Sequence, residues 1–224
     1  MKKNEFISNM PNTKTKILII DDHEVVRAGV KNFLIDLLPH SVINEAWDGH
    51  SCLDKIRDEE YHLVILDINI PGTDSIGLIN AILALRPKTN ILMFSLNADE
   101  IYAKRYLQLG VKGYLNKNAP RDEITRAIKT VLEGKKYISP ALKEAIINDM
   151  FGENNEDPFK TLSPREFQIL QHLISGKSSA DIISTLNLTS STVGTYKARI
   201  LKKLNCKNVM ELNVLAKLYN ISPQ

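Results

Sequence analysis

The sequence predicts an α/β domain built on a doubly wound, five-stranded parallel sheet, followed by a smaller all-α domain. Three observations carry that prediction. Five short apolar runs alternate with segments that read as amphipathic helices, the pattern of repeated βα units. The most apolar run, His62 to Leu66, shows no period-two alternation, so it suits a strand covered on both faces. Positive charge gathers toward the C-terminus: residues 157–224 hold nine Lys and Arg against four Asp and Glu, whereas residues 1–135 hold eighteen of each.

The elements follow in order. Residues 1–14 carry Lys2 and Lys3 but no apolar leader segment, and read as a flexible lead. The strand-like runs are KILII (16–20), VINEAW (42–47), HLVIL (62–66), NILMFS (90–95) and GYL (113–115). Between the first two, Val26, Val30, Phe33, Leu34 and Leu37 repeat at helical spacing; after Pro120, Ile124, Ala127, Ile128, Val131 and Leu132 do the same. This first domain spans residues 15–135. Residues 136–157 read as a linker, in which Ser139 and Pro140 start a short helix through SPALKEAIINDM before the acidic tether GENNEDP.

The second domain spans residues 158–223. It opens with a fully specified helix start: Ser163 as N-cap, Pro164 at the first helical position, Glu166 closing a capping box, and Leu162 stapled against Phe167. Gly176 ends that helix, a second runs over about 180–186, and NLTSS turns into a third. At roughly 100° per residue, Val193, Ile200 and Leu204 fall together on the third helix with Leu201 beside them. Thr195, Ala198, Arg199 and Lys202 point the other way, with Gly194 at the border. A short helix, a polar turn and a helix with one apolar and one cationic face form a helix-turn-helix pattern. The last helix carries Val209, Leu212, Leu215 and Ala216.

Composition narrows the function. With 224 residues, 43% hydrophobic and 25% charged, the chain reads as a soluble two-domain protein. No window reaches the ~18 apolar residues of a membrane span, so a cytoplasmic protein is expected. Cys52 and Cys206 fit neither a metal spacing nor a disulfide framework, and read as small apolar side chains.

The strand ends carry the chemistry. The first strand ends in Asp21 and Asp22, the third in Asp67, the fourth in Ser95, and the fifth leads into Lys117. In a doubly wound sheet, ligands gather at this carboxyl edge. Carboxylates ~4 Å apart repel by about 4 kcal/mol per pair at an effective dielectric near 20, so the cluster calls for a cation. A hard divalent ion such as Mg²⁺ suits oxygen donors.

The residues DD at 21–22, DINIPG from Asp67, Ser95, Tyr114 and Lys117 resemble the receiver domain of two-component response regulators, over residues 15–135. LSPREFQIL and SADIISTLNLTSSTVGTYKARILKKL resemble the LuxR-type DNA-binding domain, over residues 158–223. Together they point to the NarL/FixJ family, with a flavodoxin-like receiver. The resemblance implies that Asp67 is the phospho-acceptor and that Asp22, Asp67 and the Asn69 carbonyl bind Mg²⁺, with Asp21 assisting through water. It further implies that Ser95 and Lys117 contact phosphoryl oxygens and that Tyr114 is the switch residue. Thr192 and Thr195 would face DNA, with Tyr196, Arg199, Lys202 and Lys203 near phosphates, and the last helix would dimerise. Two positions depart from the pattern: Asn118, not Pro, follows Lys117, and the bulky Leu96, in position to shield the acyl phosphate, follows Ser95.

The reading is a phosphorylation-dependent transcriptional regulator, not a classical enzyme. Its partners would be a sensor histidine kinase and double-stranded operator DNA, bound as a homodimer, with no membrane association. An Mg²⁺-dependent phosphohydrolase passing through an aspartyl phosphate is the enzymatic rival. Against it, position 69 is Asn rather than a second acid, and no residue stands out as a general base. The other rival is a DNA-binding regulator indifferent to phosphorylation.

Overall fold

The computed structural model describes residues 14–96, 100–140, 142–144, 157–219 and 221. Most of the N-terminal lead and the body of the linker helix and its acidic tether lie outside the described residues. Five strands, β1 (Lys16–Ile20), β2 (Val42–Ala46), β3 (Leu63–Leu66), β4 (Asn90–Ser95) and β5 (Gly113–Asn116), form one parallel sheet in the order β2-β1-β3-β4-β5. Each expected run lies within one residue of its strand at either end; Trp47 falls beyond β2 and is exposed.

The absence of alternation in β1 and β3 has a direct cause. Leu18, Ile20, Val64 and Leu66 belong to the core on one face of the sheet, and Ile17, Ile19, Leu63 and Ile65 to the core on the other. Helices cover both faces: α1 (Glu24–Leu37) and α5 (Arg121–Leu132) on one, α2 (Gly49–Asp58), α3 (Ser75–Leu85) and α4 (Glu100–Gln108) on the other. Each of these central side chains contributes roughly 1.5–3 kcal/mol by leaving water. The strand ends they anchor are correspondingly fixed.

The first domain runs slightly past the expected boundary at 135. Tyr137 bridges to Gly113, its N–H donates to the Lys112 carbonyl at 2.8 Å and its hydroxyl to Glu123 at 2.9 Å. Gly113 is required there: a Cβ would stand 2.8 Å from Leu92 Cδ1.

The C-terminal domain contains a 3-10 turn (Pro158–Thr161) and helices α6 (Pro164–Ile174), α7 (Ser179–Leu186), α8 (Ser190–Lys203) and α9 (Val209–Leu218). The capping box forms as expected: Ser163 Oγ accepts from the Glu166 N–H, and Glu166 Oε2 accepts from the Ser163 N–H at 2.7 Å. Gly176 follows α6 with φ of +77°, the left-handed conformation that glycine adopts without strain. Among the described residues no helix is long and apolar enough to cross a membrane.

The two domains are docked. Arg165 of α6 pairs with both Asp74 carboxylate oxygens at 2.7 Å, and Gln168 donates to Asp74 at 2.9 Å. Arg105 of α4, only 8% exposed, donates to the Phe159 and Leu162 carbonyls and lies 4.0 Å over the Phe167 ring. One continuous set of buried residues runs across both domains.

Candidate functional site

Parallel strands deliver all their carboxyl ends to one edge, and backbone hydrogen bonds fix which ends meet. The Asp67 N–H donates to the Ile20 carbonyl at 2.8 Å, setting Asp67 beside Asp21. The Lys117 N–H donates to the Ser95 carbonyl at 2.8 Å, setting that pair together. β2 lies on one side of β1 and β3 on the other, so the acids sit at the switch in strand order.

The side chains close a compact charged site. Lys117 Nζ donates to Asp21 Oδ2 at 2.6 Å and to Asp67 Oδ2 at 2.9 Å. Asp67 is 4% exposed and Ser95 fully buried. Burial pushes the Asp67 carboxyl above the ordinary aspartate range, and the Lys117 contacts only partly offset that. Burial works against the Lys117 charge too, but its two carboxylate partners more than reverse the effect and raise its pKa. Asp21, expected to assist the metal through water, is also a direct partner of Lys117.

One feature shows that the donor set fits a cation. Asp22 Oδ1 is buried and makes no hydrogen bond to a described residue. His23 Nδ1 lies 3.0 Å from it and is hydrogen-bonded to Asp21 Oδ1 at 3.3 Å. One ligand atom from each of Asp21, Asp22, His23 and Asp67 falls within 4.8 Å of the others. Carboxylate oxygens such as those of Asp22 and Asp67 are donors of the kind that suits Mg²⁺.

Tyr114 on β5 is buried and stacks on Tyr106 of α4 with ring centroids 6.2 Å apart; the Tyr106 hydroxyl lies 3.3 Å from Ser75 Oγ. Leu96, the bulky residue after Ser95, is 60% exposed. Sequence reasoning passed over three residues: His23, Arg27, which donates to the Asp21 carbonyl at 2.8 Å, and Arg105. His23 follows the acid pair directly and Arg27 comes five residues after Asp22, a signal available from spacing alone. Arg105 had none, because its carbonyl partners lie 54 and 57 residues away.

The second candidate surface is α8. Val193 and Ile200 are buried and Leu204, its C-cap, joins them, while Thr195, Ala198, Arg199 and Lys202 are exposed, as the helical spacing predicts. Thr192 and Tyr196 are half-buried, and the Thr192 hydroxyl is held 2.8 Å from the N-cap Thr189 Oγ1. Thr195 donates its hydroxyl to the Ser191 carbonyl at 2.8 Å. Lys203 is committed elsewhere in part, to Glu166 at 2.7 Å and the Thr161 carbonyl at 3.0 Å.

The apolar set expected to dimerise on α9 faces inward: Leu212 and Ala216 are buried in their own domain, with Val209 and Leu215 packed beside them. The exposed stripe is instead Met210, Val214 and Leu218, at 78%, 57% and 73%.

Comparison with known proteins places both surfaces in context. Residues 17–129 match the response regulator receiver domain, and residues 160–216 match the bacterial regulatory proteins of the luxR family. The chain is 32% identical over 201 residues to the response regulator UvrY of Escherichia coli K12, covering 89% of this chain and 92% of that protein. It is 35% identical over 208 residues to the oxygen regulatory protein NreC of Staphylococcus carnosus, covering 88% and 94%. Among solved structures, RcsB from Salmonella enterica serovar Typhimurium, bound to promoter P1flhDC in the presence of the phosphomimetic BeF3-, shares the fold. Its TM-score is 0.72 at 22% identity, over 92% of this chain and 100% of that one.

Proposed function

The chain belongs to the two-component response regulators of the NarL/FixJ type, which join a receiver domain to a LuxR-type helix-turn-helix, and on that premise we propose that Asp67 accepts a phosphoryl group from a sensor histidine kinase and that a homodimer then binds double-stranded operator DNA through α8. The observation that carries the first half is the Lys117 ammonium set between the buried carboxylates of Asp21 and Asp67. It offsets charge where a phosphoryl group would arrive.

In this reading a carboxylate oxygen of Asp67 attacks phosphorus, forming a P–O bond as the P–N bond to the donor histidine breaks. The donor imidazole leaves with the electron pair and takes up a proton. Lys117 and Ser95 meet the phosphoryl oxygens, and Tyr114 repacks as the loop after β4 responds. Asp22, Asp67 and the Asn69 carbonyl would hold Mg²⁺, with Asp21 assisting through water, and the ion would supply further positive charge. Thr192, Thr195, Tyr196, Arg199, Lys202 and Lys203 are assigned to DNA, with Lys203 contributing least because of its partners. The exposed stripe on α9 is assigned to the second copy. The protein acts in the cytoplasm, without membrane association.

Incubation with Mg²⁺ and a small-molecule phosphodonor is expected to give one labile acyl phosphate per chain and tighter operator binding. Both effects should vanish in Asp67→Asn. Persistent labelling of that variant would move the acceptor elsewhere; operator binding unmoved by the phosphodonor would support the phosphorylation-independent reading.

A further inference from the structure

A pocket of about 250 Å³ lies between the docked domains, and none of its lining residues is an acid. The receiver supplies one wall through residues 68–73 and Ser75; Gln168, Gln171 and His172 of α6, Lys177 and Thr185 of α7 supply the other. Its floor is polar: Gln168, Gln171 and Ser75 are 7%, 4% and 6% exposed. An amide can give two hydrogens and accept two. Among the described residues, Arg165 and Asp74 take one lone pair and one hydrogen of Gln168, so its amide has capacity for a further partner. Buried polar groups of this kind suit a polar guest. The charge at the pocket has one sign. Lys177 is exposed at the mouth, while Asp181, the acid nearest to it in sequence, gives its carboxylate to the Ser178 N–H at 2.9 Å and hydroxyl at 2.6 Å. Burial, with Lys177 close by, pushes the His172 pKa down to about 4, so at neutral pH its ring offers one donor and one acceptor without charge.

We propose that this pocket binds a small organic anion, with its carboxylate or phosphate on Lys177 and its hydroxyl groups on the Gln168, Gln171 and Ser75 floor. Domain interfaces are favoured places for such ligands. At ~30 Å³ per water, the pocket holds about eight water-sized groups, so the ligand is a metabolite of a few carbons. A molecule that touches both walls favours the docked arrangement, because undocking removes one wall. Ser75 carries the effect further: its Oγ lies 3.3 Å from the Tyr106 hydroxyl, and Tyr106 stacks on Tyr114. Occupancy of the pocket therefore reaches the aromatic pair of α4 and β5. The chain then takes a second input, independent of the phosphoryl group.

The test is an amide NMR titration of the intact chain, without Mg²⁺ or phosphodonor, using glycerate, glycerol 3-phosphate, inorganic phosphate and uncharged glycerol. At least one of the two organic anions is expected to bind saturably, with shifts at residues 68–75 and 168–185, and which of them binds tells a carboxylate from a phosphate ligand. Glycerol should not bind. Lys177→Gln should weaken binding on the order of tenfold and Ser75→Ala about threefold. Lys129→Gln, which removes an exposed lysine of α5, should leave it unchanged. No saturable shift with any probe, or binding kept in Lys177→Gln, would overturn the site. Inorganic phosphate binding as tightly as the organic anions would leave the floor without a role and overturn the proposal too. Loss in Lys177→Gln with none in Ser75→Ala would confine the ligand to the C-terminal domain, against a site shared by two walls. Thermal unfolding without probe checks that each variant is folded; if Ser75→Ala is not, Ser75→Cys takes its place, because a thiol keeps the volume and is a weak hydrogen-bonding group.

Discussion

Thr195 and Arg199 lie one turn apart on the exposed face of α8 and are equipped for different tasks. The Thr195 hydroxyl is spent on the Ser191 carbonyl, so what it offers a base pair is chiefly a methyl group suited to the methyl of thymine. Arg199 is exposed on the flank of that face and is assigned to phosphates. Arg199→Ala is therefore expected to weaken binding evenly across operator sequences and to lower the salt slope by about one. Thr195→Ala should change preference at one base pair by roughly 1 kcal/mol. Competition binding over single-base operator variants at two salt concentrations separates the two; a preference lost at one position in Arg199→Ala would make Arg199 a base reader. The residues of both surfaces were legible because strand ends and helix faces follow from short-range periodicity. His23 was passed over because a ring nitrogen next to two acids gains meaning only when the turn folds it back over them.

At the scale of elements, α6 and α8 are joined by the Glu166–Lys203 pair, a buried carboxylate met by a half-exposed ammonium. Burial works to raise the Glu166 pKa, but the Lys203 ammonium and the Ser163 N–H more than reverse this and hold it below the ordinary glutamate range. A depressed carboxylate stabilises the fold above its unfolded pKa and loses that contribution as pH falls through the folded value. Glu166→Gln keeps a capping oxygen and removes the charge. It is expected to cost roughly 1–2 kcal/mol in urea unfolding at pH 7, with the difference shrinking toward pH 3. Gly194, midway along α8, gives a second test. A Cβ there meets nothing within 4 Å, yet glycine in a helix interior costs about 0.5–1 kcal/mol relative to alanine. Gly194→Ala should therefore raise the melting temperature and weaken operator binding, since the bare backbone is of use only to something that approaches it. Equal affinity would leave the glycine without a role in DNA binding. Helix and strand boundaries were readable from pattern, but the inner face of α9 was not separable from its outer one. Apolar residues recur on both sides of that helix, at 209, 212, 215 and 216 and at 210, 214 and 218, and only the packing of the other helices decides which side is core.

For the whole molecule, Arg105 is the side chain that joins the two halves most fully, through two carbonyls and the Phe167 ring. It follows that Arg105→Ala leaves those carbonyls without the guanidinium and opens the contact. The expected result is a larger radius of gyration by small-angle X-ray scattering and two thermal transitions where the wild type shows one. A single transition and an unchanged radius would mean that Asp74, Arg165 and Gln168 suffice. No sequence pattern foretold this docking: it is made between residues 54 to 94 positions apart, and it depends on which faces remain after each domain has closed its own core.

With the domains docked in this way, the side of α8 assigned to DNA is exposed at Thr195, Ala198, Arg199 and Lys202. On that assignment, a protein so arranged would be able to search the chromosome before any signal arrives, sliding and hopping on phosphate charge alone. What a signal then alters is residence rather than access: one chain holds a half-site briefly, and two coupled chains stay because releasing either leaves the other to recapture it. Quiescence in the cell would rest on keeping chains solitary, so background occupancy of promoters would rise with copy number even when no kinase is active.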